Sequence, residues 1–209
     1  MGEGLTALER PAEGEPAGAL VLLHGRGADE RDLFPLLDAI DPERRLHGYT
    51  PRGPLSLPPG GAHWYALGGI PTPEPGTFFP TFELLAGWFD ALPFDPGRIV
   101  LGGFSQGCVM SWAIGLGSGR PRPAGLLCLS GFLPRVEGFE LSFDGLEGYP
   151  VAIAHGSHDP VISVEWSREA RTRLEAAGAD VLYRESAMPH AVDPRVLPEL
   201  AALVRRSVP

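Results

Sequence analysis

The chain has 209 residues, 44% of them hydrophobic and 21% charged, which is enough apolar material for one full globular core. Its formal charge is −9, it contains no lysine, and its 17 arginines are scattered, with only short pairs such as Arg44-Arg45 and Arg205-Arg206. That pattern argues against a basic nucleic-acid patch or a surface for anionic membranes, so neither a nucleic-acid partner nor stable membrane insertion is expected. No apolar run reaches the ~20 residues of a membrane span. The acidic opening MGEGLTALERPAEGEPAG does not read as a signal peptide. Cys108 and Cys128 lie in apolar runs that fit two buried, reduced thiols, so a cytoplasmic protein is expected.

Short apolar runs alternate with amphipathic ones along the chain. ALVLLHG (19–25) predicts a buried strand. ADERDLFPLLDAI (28–40) predicts a helix with Asp29, Glu30 and Asp32 in its first turn. LHGYTP (46–51) is a weaker strand ended by proline. Residues 51–76 are dense in Gly and Pro yet hold Trp64, Tyr65 and Ile70, so they predict an ordered functional loop that supplies a pocket wall. Helical spacing resumes over 78–92, a strand follows at 98–103, and a helix at 105–117. Strands are predicted at 125–131 and 149–156, with an irregular stretch at 137–148 between them. A helix over 161–178 stopped by Gly178, a strand over 179–186 and a closing helix over 193–208 complete the order. Continuous apolar strands alternating with helices predict one α/β domain over 1–209, with a mostly parallel sheet covered on both faces and no large lid domain. In such sheets ligands bind at the carboxyl ends of the strands.

GFSQG (103–107) fits G-x-S-x-G, a weak signal alone in a chain with 28 glycines. Its context is more specific, because it follows one predicted strand and opens one predicted helix, as a nucleophile elbow requires. Gly103 and Gly107 free the space where strand and helix approach, and Ser105 is lifted clear at a helix N-terminus. A serine hydroxyl needs a base to become a nucleophile. The elbow architecture places acid and base later, each past the end of a strand. Asp159 follows YPVAIA in HGSHDP, and His190 follows ADVLYRE in SAMPHAV, so both expectations are met in order and location. His190 is the expected general base and Asp159 the residue that fixes its tautomer. The backbone N–H groups of Gln106 and of Arg26, in the loop HGRGAD (24–29), are the expected oxyanion donors. Simpler roles exist for each: Ser105 as a helix cap, Asp159 as a cap of the next helix, His190 as a surface histidine, Asp193 as a rival acid. His155 is expected to pack structurally, and His24 and Asp29 to organise their loop. The six histidines are dispersed with no metal-ligand spacing, so neither a metal nor a cofactor is implied.

Together, LLHGRGAD, PRGP, the Trp64-Tyr65 region, GGFSQGCVMSWAIGL, LSGFLP, HGSHDPVIS and PHAV resemble the phospholipase/carboxylesterase family of α/β-hydrolases, over residues ~19 to ~192. The resemblance implies Ser105, Asp159 and His190 as a catalytic triad and the N–H groups of Arg26 and Gln106 as the oxyanion hole. It also implies that the 51–76 segment forms the acyl pocket, with Trp64, Tyr65 and Ile70 in its wall. The thioesterase branch commonly reads HGLGD; the HGRGAD of this chain is more similar to bacterial carboxylesterases. The expected function is therefore a serine carboxylesterase acting on small-molecule esters of short to medium acyl chains, as a monomer or homodimer. The alternatives are an acyl-protein thioesterase or lysophospholipase, a dienelactone hydrolase-like enzyme, which usually wants cysteine as nucleophile, and an inactive hydrolase fold used for binding. Gln106 is the only glutamine in the chain, and its side chain is expected to bond the loops beside the oxyanion hole.

Overall fold

The computed structural model describes residues 4–209. Its strands in chain order are β1 (Ala7–Arg10), β2 (Gly18–Leu23), β3 (Leu46–Pro51), β4 (Leu55–Leu57), β5 (Gly61–His63), β6 (Ile99–Phe104), β7 (Gly125–Leu129), β8 (Pro150–Gly156) and β9 (Asp180–Ser186). Seven of them form one sheet in the order β1-β3-β2-β6-β7-β8-β9, parallel throughout except for the edge strand β1, which runs antiparallel to β3. β4 and β5 make a separate two-stranded hairpin.

The helices are α1 (Phe34–Ile40), α2 (Pro75–Asp90), α3 (Gln106–Leu116), α4 (Glu165–Ala176) and α5 (Leu197–Ser207). Successive strand side chains point to opposite faces of a sheet, and two buried clusters follow from that alternation. Ala19, Val21 and Leu23 of β2 join the cluster under α2, α3 and α4, whereas Leu20 and Leu22 join the one under α1 and α5. The central strands are therefore apolar on both sides, which is why they read as unbroken hydrophobic runs.

The starts of α1, α2 and α4 differ from the sequence expectation, each because a polar side chain captures backbone N–H groups. Residues 28–33 turn rather than coil, since Asp29 Oδ1 accepts the Arg31 N–H, and α1 starts only at Phe34. α2 begins three residues early, with Glu74 capping Gly76 and Thr77 and Pro75 in the first turn. α4 begins at Glu165, not Val161, because the N–H groups of Val161 and Ile162 go to Asp159. The predicted loop 51–76 contains the β4–β5 hairpin, whose three-residue strands sit among too many Gly and Pro residues to show a period. Strand β1 was not foreseen either; it is four residues long and only partly buried.

Strand order reverses between β2 and β6, so the carboxyl ends of these two strands mark the switch point where a crevice forms. The loop from His24 leaves one, and Ser105 leaves the other. α3 crosses so close to β2 that a Cβ on Gly107 would stand 1.9 Å from the Leu23 carbonyl oxygen. Gly107→Ala is expected to destabilise the fold by about 2 kcal/mol or more, seen as a lowered urea midpoint. Gly87→Ala, on the exposed side of α2 with nothing within 4 Å, should raise the midpoint slightly.

Candidate active site

Ser105 has φ 56° and ψ −117°, a conformation that costs an L-residue energy and persists because its surroundings enforce it. Its N–H donates to the Leu129 carbonyl, which pins the turn to β7. A Cβ on Gly103 would stand 2.4 Å from the Gly107 carbonyl carbon, so the strand and the helix touch backbone to backbone. The Ser105 hydroxyl makes no capping bond to α3. It lies 2.9 Å from His190 Nε2 instead.

His190 sits in the loop after β9, with its ring 4.7 Å from that of Phe104. Its Nδ1 is 2.5 Å from Asp159 Oδ2. The two loops are tied to each other, because the N–H groups of Ser157 and His158 donate to the carbonyls of Ser186 and Met188. Gly156 permits that closeness, since a Cβ there would meet the Pro189 oxygen at 2.3 Å. The Asp159 side chain is shielded from solvent. Burial pushes its carboxyl up, but the Ile162 N–H, the His190 ring and the Val161 N–H outweigh burial and hold it below the ordinary carboxylate value. Asp159 thus both shapes the turn before α4 and bonds His190. Asp193, the rival acid, is engaged by Ser186 and Arg195 and does not face His190.

His155 is buried beside the same carboxylate. Its Nδ1 is 2.5 Å from Ser167 Oγ and its Nε2–H is directed at the Ile162 carbonyl, with Asp159 Oδ2 at 3.2 Å. His24 is also buried: its Nε2 accepts the Gly53 N–H, so the ring proton is on Nδ1, which donates to the Gly25 carbonyl. Both imidazoles are held below their ordinary value of 6.5, first by burial, and are neutral near pH 7.

Gln106 follows Ser105 in sequence, and the Gly25-Arg26 stretch comes beside it in space. Gly25 approaches so closely that a Cβ on it would stand 3.4 Å from Ser105 Cβ. Neither the Arg26 nor the Gln106 backbone N–H has a hydrogen-bond partner among the described residues. The segment 52–65 braces both. The Gly27 N–H donates to the Ala62 carbonyl and the Ala62 N–H to the Ala28 carbonyl, so β5 runs along the Arg26 loop. Arg52 reaches Glu30 at 2.9 Å and the Gly60 carbonyl at 3.0 Å, tying that loop to the hairpin turn. The Gln106 amide accepts the Trp64 N–H at 3.1 Å and donates to the Tyr65 carbonyl at 2.9 Å, and the Trp64 indole N–H donates to the His24 carbonyl.

These contacts correct the expectation for two residues. Trp64 and Tyr65 do not wall an open pocket; they are closed off from solvent because their rings pack in the core while their backbones hold Gln106. Ile70 is 42% exposed, and with Leu67 and Val161 it makes up the exposed large apolar side chains among the described residues. The brace role of β5 and Arg52 had no short-range signal, since it depends on pairing between segments more than 20 residues apart.

A family profile described as Phospholipase/Carboxylesterase matches residues 8–207. Acyl-protein thioesterase 1 of Gibberella zeae is 35% identical over 118 residues, 54% of this chain and 50% of that protein. Acyl-protein thioesterase 1 of Candida albicans is 28% identical over 197 residues, 83% of this chain and 84% of that protein. The chain spans about half the length of the first curated relatives it matches. Among solved structures, the Bacillus cereus carboxylesterase superposes with a TM-score of 0.83 at 22% identity, covering 99% of this chain and 96% of that one. Esterase PE8 has a TM-score of 0.83 at 25% identity, covering 97% of this chain and 99% of that one.

The buried histidines give the fold a pH dependence of known sign. Below 6.5 the unfolded chain takes up protons that His24 and His155 refuse in the fold. Stability is then present above that pH and lost as pH falls. The urea midpoint is expected to drop between about pH 7 and pH 5.5, with a shallower slope in His155→Asn, measured by denaturation at each pH.

Proposed function

The chain belongs to the phospholipase/carboxylesterase family of α/β-hydrolases, and we propose that within it the protein is a serine carboxylesterase. One observation carries the reading: Ser105 Oγ, His190 and Asp159 stand in one unbroken hydrogen-bonded line, at 2.9 Å and 2.5 Å. In that arrangement Ser105 is the nucleophile. His190 Nε2 takes the hydroxyl proton as Oγ bonds to the ester carbonyl carbon. The buried, ionised Asp159 keeps the His190 proton on Nδ1 and stabilises the imidazolium that forms.

The carbonyl oxygen becomes an oxyanion and accepts the N–H groups of Arg26 and Gln106. Collapse of the tetrahedral intermediate breaks the bond to the leaving alcohol, which takes the proton from His190. Water then repeats the attack on the acyl-enzyme, with His190 again as base, and releases the carboxylic acid and Ser105. The α3 N-terminus adds a favourable field for negative charge at the same point. Every step uses side-chain and backbone groups of this chain, and small-molecule esters of short to medium acyl length are the proposed substrates.

A thioesterase reading has one specific support, the name borne by the curated relatives. Matched oxygen and thiol esters of one acyl chain separate the two readings through the ratio of their kcat/KM values.

A series of p-nitrophenyl esters from acetate to palmitate should show a maximum at short to medium chains; a maximum at palmitate overturns that preference. Ser105→Ala should lower kcat by at least about 10⁴-fold with the fold intact. Gln106→Ala removes both bonds to the Trp64-Tyr65 backbone and should lower kcat by about tenfold or more with a smaller change in KM. Full activity in that variant would mean that the amide does not position the oxyanion donors.

A further inference from the structure

Every positive side chain of this protein other than histidine is an arginine, and there are 17. Among the described residues all but one are engaged. Arg10, Arg31, Arg44, Arg52, Arg120, Arg135, Arg168, Arg171, Arg184, Arg195, Arg205 and Arg206 bond carboxylates. Arg45, Arg98 and Arg122 bond carbonyl oxygens, and Arg173 lies over the Phe143 ring. The exception is Arg26, which is exposed and has no hydrogen bond or ion pair with any described residue.

Its position makes the exception informative. Arg26 directly follows Gly25, where an added Cβ would stand 3.4 Å from Ser105 Cβ, so the backbone carrying Arg26 passes beside the reacting serine. Of the acids in its own loop, Asp29 and Glu30 are taken by other arginines, and Asp32 makes no ion pair with it. Glu30 is held by Arg31 at 3.0 Å and Arg52 at 2.9 Å, and Asp29 stands 3.6 Å from each of the same two guanidinium groups. In a chain with a formal charge of −9, that leaves an uncompensated cation at the edge of the proposed reaction centre. The diffuse negative charge of the surface is screened beyond about 8 Å at physiological salt, whereas a guanidinium in contact with a carboxylate forms a charge-assisted, two-pronged pair.

We propose that the Arg26 guanidinium binds a carboxylate carried by the ester substrate, so that the site selects carboxylate-bearing esters over neutral esters of the same skeleton. The inference rests on the esterase reading above and adds the charge class of its substrate. The Arg26 backbone N–H and side chain then do separate things: one meets the oxyanion, the other meets a fixed negative charge elsewhere on the same molecule.

The test uses the full chain and two matched pairs of esters. In the first pair, o-nitrophenyl hexanoate is compared with the o-nitrophenyl monoester of adipic acid, whose acyl chain ends in a carboxylate. In the second, the same hexanoate is compared with its analogue bearing a carboxylate on the nitrophenyl ring. The readout is the ratio of kcat/KM for the charged ester to that for the neutral one, so any loss common to both divides out. Arg26→Gln should lower that ratio about tenfold in at least one pair, mainly through KM, and the pair affected tells which end of the ester carries the anion. Arg26→Lys should keep part of the ratio, and added salt should lower it in the native chain but not in Arg26→Gln. A ratio unchanged by Arg26→Gln in both pairs overturns the proposal. Loss of the esterase reading looks different: neutral hexanoate would then show no hydrolysis that depends on Ser105.

Discussion

The backbone at Gly107 passes closer to β2, and that at Gly103 closer to Gly107, than any side chain would allow. A Cβ on Gly107 would overlap the Leu23 carbonyl, and one on Gly103 would overlap the backbone at Gly107. This close packing forces the turn, and the turn forces Ser105 to a positive φ. On this turn the Ser105 hydroxyl makes no helix cap and lies instead against His190 in the loop after β9. Because Leu23 ends β2, the same contact that tightens the elbow fixes where the loop carrying Arg26 must emerge. Ser105 and the backbone N–H groups of Arg26 and Gln106 are therefore positioned by one packing constraint.

That constraint creates a polar problem at the heart of an apolar protein, and the segment 52–65 solves it. His24, Gln106 and the Trp64 indole are all buried, and each unpaired buried donor or acceptor costs about 1–3 kcal/mol. Their hydrogen bonds close on one another: Gly53 to His24, Trp64 to the His24 carbonyl and to Gln106, Gln106 to Tyr65. A fully satisfied network of this kind permits one arrangement and penalises every other. It explains why a stretch so rich in Gly and Pro is ordered, and why the chain keeps a single glutamine there.

On the other side of Ser105 the electrostatics are arranged around Asp159. Its carboxylate is taken out of water, a change that by itself favours protonation, and is returned to the ionised state by two backbone N–H groups and the His190 ring. The same two bonds also delay the start of α4 to Glu165, so the acid and the helix boundary are set together. His155 completes the shell as a neutral donor to the Ile162 carbonyl, which holds the turn without adding charge. Elsewhere the arginines are matched to acids, carbonyl oxygens or an aromatic ring, and Arg26 of the HGRGAD loop is the one among the described residues without such a partner.

The sequence by itself determined the parts that depend on local chemistry. The parallel sheet was legible because strands such as Gly18–Leu23 are buried on both faces and so are apolar without interruption. The order Ser105, Asp159, His190 was legible because each residue follows an apolar run at a point where the chain must turn. Tertiary structure alone decided the rest, since it depends on pairing across long separations. The strands Leu55–Leu57 and Gly61–His63 exist because β5 has the Arg26 loop to pair with, and β1 exists because β3 offers it an edge. Trp64 and Tyr65 looked like pocket walls because an aromatic in a loop can face either way. Which way it faces is set by the space behind the elbow, and no spacing along the chain encodes that space.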